Sequence, residues 1–132
     1  MSIISFAWTT PALLAGRKTC TRRDWSPKYA RQFREGDLVD AFNRSPRNGG
    51  QKVAVIRLTS VTFESTRDMP DSDYEAEGFD YLTEIGAKVN GATPTELWAE
   101  WRGVWRGMYV VRFKVLALVT ATTDLGAMGA KS

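Results

Sequence analysis

The chain is 132 residues long, the size of one ordinary domain, and its 43% hydrophobic and 25% charged residues argue against both disorder and a second independent core. It holds no histidine and one cysteine, so Ser-His-Asp and Cys-His catalysis, imidazole zinc sites and an intramolecular disulfide are excluded, and any acid or base must be Lys, Asp, Glu or Tyr. The net charge of +3 hides an uneven layout: residues 17–57 carry eleven Lys/Arg against four Asp/Glu, residues 64–100 two against ten, and residues 101–132 five against one. The fold must bring the basic and acidic segments together or display them on different faces. The basic third is a candidate surface for nucleotides or RNA, and equally a solvated surface whose charges neutralise one another.

In chain order, Ile3 to Phe6 reads as a short buried strand, and Thr10-Pro11 as a helix cap with proline at the first helical position. That helix, Pro11 to Ala15, ends at Gly16, so the segment GRKTCTRRDW begins a loop or a strand. The start of the chain has no basic leader, and Thr9, Thr10 and Pro11 interrupt its apolar run, against a secretory signal. Ser26-Pro27 opens a second helix to about Phe33, Gly36-Asp37 turns the chain, and Leu38 to Asn43 is a strand. Pro46, Asn48, Gly49 and Gly50 form a turn before the long strand Lys52 to Glu64, making a hairpin. Residues 65–75 read as a loop or short helix, followed by helices over Asp80 to Val89 and Thr93 to Arg102, the second with a Thr93/Glu96 capping-box spacing. Met108 to Val119 alternates as a strand. The run 109–120 contains Arg112 and Lys114 and is too short to span a bilayer as a helix, so a cytoplasmic protein without a membrane partner is expected. The domain is expected over 1–119, with a flexible tail over 120–132. The pattern is mixed α+β, a small barrel or curled sheet with helices at its rim.

Lys18 and Thr21 bring a candidate base and a candidate nucleophile close together in sequence. A lysine crowded by Arg17, Arg22 and Arg23 and partly desolvated has its charged form disfavoured, which suits it to take a proton from a hydroxyl. The opposing consideration is geometric: residues three apart on a regular strand point to opposite faces, so the pair can meet only at a turn or bulge. A phosphate-binding or solvated basic loop is the alternative. Trp98, Trp101 and Trp105 have helical spacing and read as core or groove wall, whereas Trp8 and Trp25 flank the basic loop, where they can stack a planar base or simply pack. Cys20, without a histidine partner, reads as structural or incidental.

The segment LLAGRKTCTRRDW, with Gly16, Lys18, Thr21 and Arg23, resembles the Gly-x-Lys-x-x-Thr/Ser-x-Arg hallmark of ASCH domains in the PUA-like superfamily. The Gly36-Asp37 turn, the long central strand, the EGF turn at Glu77 to Phe79 and the closing strand YVVRFKVL fit the same order, over roughly residues 3–118. The resemblance implies a small PUA-like β-barrel with short helices at the rim. Within the family the chain is similar to bacterial amidohydrolases that deacylate N4-acetylcytidine, which implies catalytic Lys18, Thr21 and Glu77, with Glu75 as the alternative carboxylate. It implies no metal and no organic cofactor, an acylated cytidine nucleoside or RNA as partner, and substrate contacts from Arg23, Trp25, Phe79 and Trp8. Extra length around Arg44 to Gln51 and Thr66 to Tyr74, and the additional Arg22, depart from those enzymes. A noncatalytic RNA-binding module is the alternative function; a nuclease would need carboxylates and a divalent ion.

Overall fold

The computed structural model describes residues 2–119, so the tail expected over 120–132 lies outside the described residues. The elements are β1 (Ile3–Ser5), α1 (Thr10–Leu14), β2 (Cys20–Arg23), α2 (Pro27–Ala30), β3 (Leu38–Phe42), β4 (Lys52–Ser65), α3 (Asp73–Ala76), α4 (Phe79–Glu84), α5 (Pro94–Val104) and β5 (Gly107–Leu118). The local signals explain most starts. Ser26 accepts from the Tyr29 amide at the head of α2, and Thr93 and Glu96 form the reciprocal capping box of α5. Two helices are shorter than their pattern predicts: α2 stops at Ala30, and α4 stops at Glu84 ahead of Gly86, whose φ of 71° turns the chain out of the helix.

The strands form one sheet in the order β1-β3-β4-β5-β2, with β1 parallel to β3 and the other neighbours antiparallel. The α+β class is as expected, but the expected barrel is not formed: the sheet is open, with β1 and β2 as its edges. These edges have three and four residues, too few for a long closing ladder, and a side chain spans them instead, since Arg23 Nη2 donates to the Ser5 carbonyl at 2.7 Å. The β4–β5 ladder is also irregular. Between β4 and β5 the register passes from Leu58↔Phe113 to Ser60↔Arg112, so Thr59 is an extra residue in a bulge that switches which residues of β4 face the core. Ala54, Ile56 and Leu58 point inward before it, and Val61 packs on the same cluster after it.

The larger core joins Ile4, Phe6, Leu13, Phe33, Val39, Ile56, Leu58, Val111 and Phe113. A smaller one joins Ala12, Phe79 and Leu82, with Tyr74, Trp98 and Trp101 against it. Trp105 departs from its helical spacing because α5 ends at Val104; it takes a left-handed backbone at φ 54° and lies beneath the Arg67 guanidinium, 4.6 Å from the ring centroid. No helix among the described residues is long and apolar enough to cross a membrane.

Candidate active site

The basic loop is pinned by its backbone before its side chains act. After α1 the amides of Arg17 and Lys18 both donate to the Ala12 carbonyl, at 3.0 and 3.1 Å. Thr19 then joins two elements, its amide donating to Ala76 at the end of α3 and its carbonyl accepting from Phe113 of β5. Lys18 therefore sits on the loop before β2, where strand alternation does not govern its direction, while Thr21 lies on the strand itself.

Lys18 is 1% exposed and Glu77 2% exposed, and they meet: Nζ donates to the Glu77 carbonyl at 2.8 Å and to its Oε1 at 3.2 Å. Glu77 follows α3 as its C-cap, its amide bonded to the Asp73 carbonyl. Gly78 makes the approach possible. It has a φ of 89°, and a Cβ there would lie 2.5 Å from Ala12 Cβ and 3.2 Å from Lys18 Cβ. Glu75 points to different chemistry at the surface, where it and Glu84 hold Arg17 at 2.7 and 2.8 Å.

Alternation on β2 sends its side chains two ways. Cys20 and Arg22 face the acidic segment: Arg22 Nη1 donates to Glu77 Oε2 at 2.8 Å and Nη2 to Asp73 Oδ2 at 2.6 Å, and Cys20 Sγ lies 3.7 Å from the same Glu77 oxygen. Arg112 of β5 completes the cluster on Asp73, at 3.0 and 2.8 Å. On the other side, Arg23 Nε donates to the Thr21 hydroxyl oxygen at 3.0 Å. The hydroxyl is thus held by Arg23, and Lys18 makes its bonds to Glu77.

These groups open on a cleft of about 220 Å³. Lys18, Thr21, Arg23 and Glu77 form its polar wall, Phe79, Val89, Leu97 and Trp101 its apolar one, and Trp8, 59% exposed, stands at its mouth. Trp25 is not on this wall. It stacks on Phe33 with centroids 4.4 Å apart and packs against the larger core, so its surroundings are those of a packing residue.

Burial lowers the Lys18 amine below its ordinary value, opposed by the Glu77 charge and assisted by Arg23. Burial, followed by the Glu77 charge, pushes the Cys20 thiol up to about 12, which keeps it protonated. Burial alone would raise the Asp73 carboxyl, but hydrogen bonds from Arg112 and Arg22 outweigh it and hold the group below the usual carboxylate range. Three of the four cations in residues 16–25 are thus taken up by carboxylates, and the basic loop is not a free anion-binding patch. Among the described residues no three Cys, Asp or Glu side chains gather as a metal site. Sequence reasoning missed the roles of Arg22, Asp73 and Arg112; the one signal pointing to the first two was the opposite charge of segments 17–57 and 64–100, and to Arg112 the basic balance of residues 101–132.

No family model matches the sequence, and no curated protein matches it. Among solved structures, the fold is similar to the crystal structure of protein EF3133 from Enterococcus faecalis V583, of the family model DUF984, with a TM-score of 0.57 and 20% sequence identity over 96% of this chain and 83% of that one. At that identity the likeness concerns the fold: a mixed α+β domain, here with a buried charge cluster that opens on a cleft.

Proposed function

We propose that the protein is a small amidohydrolase that removes the acyl group from the exocyclic amine of N4-acylated cytidine, without a metal or organic cofactor. The observation that carries this reading is the convergence of Lys18, Thr21 and Glu77 on one cleft, with the lysine amine buried. A neutral Lys18 that gives both hydrogens to Glu77 keeps its lone pair free for the Thr21 proton. The Thr21 oxygen then attacks the acyl carbonyl carbon, and Arg23, already on that hydroxyl, stabilises the negative charge that develops. As the bond to cytosine N4 breaks, Lys18 returns the proton to the leaving nitrogen while Glu77 orients the ammonium. Water, deprotonated by Lys18, releases the acyl group from Thr21 as a carboxylate, and the threonine regains its proton. The choice of nucleoside rests on the resemblance carried by Gly16, Lys18, Thr21 and Arg23. The cleft suits a small ligand: at about 220 Å³ it is below the roughly 300 to 1,000 Å³ of pockets for drug-sized ligands.

The test is the ultraviolet conversion of N4-acetylcytidine to cytidine in EDTA. The native protein should turn over, and Thr21→Val and Lys18→Met should each lose at least about 100-fold in kcat. No conversion by the native protein, alongside RNA binding that weakens steeply with salt, would replace this reading with the binding module.

A further inference from the structure

The ion pairs continue past the buried Lys18 and Glu77 contact, in the order Lys18, Glu77, Arg22, Asp73 and the part-exposed Arg112. Arg22 is the centre of this chain, with one guanidinium nitrogen on each carboxylate at 2.8 and 2.6 Å and its side chain 1% exposed. A planar fork can span two carboxylates in this way, whereas a lysine ammonium on a shorter reach cannot reproduce the geometry. The two oxygens of Glu77 are consequently divided, Oε2 to Arg22 and Oε1 to Lys18.

We propose that Arg22, anchored by Asp73, is a positioning residue that fixes the Glu77 carboxylate with Oε1 on Lys18 and takes up its negative charge. Glu77 then attracts a proton to Lys18 less strongly than a free carboxylate would, and the amine is released at a lower pH. The charged groups around Lys18 all fit this account. Glu77 favours the ammonium and Arg23 opposes it; Arg22 lies on the other oxygen of Glu77, and the Cys20 thiol is pushed up and stays protonated. Asp73 is shared between Arg22 and Arg112, and Glu75 and Glu84 are occupied by Arg17 at the surface. The catalytic consequence rests on the amidohydrolase reading; the effect on Lys18 does not.

Two substitutions in the same cluster should move Lys18 in opposite directions. Arg22→Gln uncovers Glu77 and should raise the titration midpoint of Lys18, read from its side-chain carbon shift by NMR, by about one pH unit or more. Asp73→Asn removes a negative charge but keeps an amide oxygen that can accept from Arg22, so Arg22 stays anchored on Glu77 and the midpoint should stay or fall. Kinetically, the rising limb of kcat/KM for N4-acetylcytidine should move up with Arg22→Gln, a roughly tenfold loss per unit at neutral pH that is recovered at high pH. Arg22→Lys keeps the charge and should restore part of the shift. An unchanged midpoint in Arg22→Gln, or a rise in Asp73→Asn equal to it, would overturn the proposal, and if Arg22→Gln does not fold, Asp73→Asn and Arg22→Lys decide it. Correct midpoints in a protein that does not hydrolyse the nucleoside would sink the enzymatic reading alone.

Discussion

At the scale of single residues, Lys18 carries opposing demands on stability and chemistry. Burying an amine costs free energy unless it is paired, and here Glu77 supplies both bonds. Removing Lys18 should cost about 3 kcal/mol, the lower end for breaking a buried pair, because Arg22 remains on Glu77. For this reason the activity test uses Met, which fills the same space, in place of Ala. The lowered lysine also fixes the sign of a pH effect. Between its folded-state value and the ordinary 10.5, only the unfolded chain holds the proton, so stability should rise with pH across that window. Lys18→Met should flatten this rise in urea melts recorded at successive pH values, and an equal slope in both proteins would show that Lys18 does not titrate differently on folding. Cys20 makes a separate prediction. Buried and pushed up to about 12, its thiol should resist iodoacetamide in the native protein and react once the chain is unfolded in urea. Rapid native-state labelling would mean that the β2 face opens far more often than its burial implies.

At the scale of elements, the site depends on how closely α1 and the corner between α3 and α4 approach. Gly78 is the point of closest contact, and two independent costs meet there. A side chain at φ 89° costs about 1–2 kcal/mol, and its Cβ would stand 2.5 Å from Ala12, so the corner must also move. Gly78→Ala should therefore lower the unfolding free energy by at least about 2 kcal/mol and weaken turnover more than Thr93→Ala, which removes only the α5 cap at about 1 kcal/mol. Equal losses of activity from the two would show that the Lys18 and Glu77 contact does not need this corner. Elements announced by local chemistry were legible in the sequence: proline after a cap at α2 and α5, the capping box, and the long alternating strands; at α1 the expected cap residue, Thr10, lies inside the helix and Thr9 stands at the N-cap without a side-chain cap bond. The early end of α4 was not, because the apolar residues beyond Gly86, Ala87 and Val89, continue the pattern while packing on the smaller core from outside the helix.

At the scale of the whole molecule, the basic segment is folded onto the acidic one. Lys18, Thr21 and Arg23 could be read from the sequence because their spacing is local. Arg22 and Asp73 stand 51 positions apart, so their pairing depends on where α3 lies against the β2 and β5 edge of the sheet, which no local pattern encodes. Closure into a barrel was misread for a related reason: the β4–β5 ladder shifts register twice, between Val55 and Ile56 and between Leu58 and Ser60, and whether edges of three and four residues then pair is decided by tertiary geometry. The folding together of opposite charges changes what salt should do. Ions at 0.15 M screen exposed charges beyond about 8 Å but reach buried pairs poorly, so the Lys18, Glu77 and Arg22 cluster should keep its arrangement. Hydrolysis of an uncharged nucleoside in the cleft should then change kcat/KM by less than about twofold between roughly 50 and 200 mM salt, where binding through many phosphate contacts loses about 10³ to 10⁵ in affinity. The comparison is made on one protein preparation, with N4-acetylcytidine and with a single-stranded RNA carrying the same modified base. A steep loss for the RNA with a flat response for the nucleoside would place phosphate recognition outside the cleft, on the exposed cations; a steep loss for both would mean that the paired charges are not as sheltered as their burial makes them.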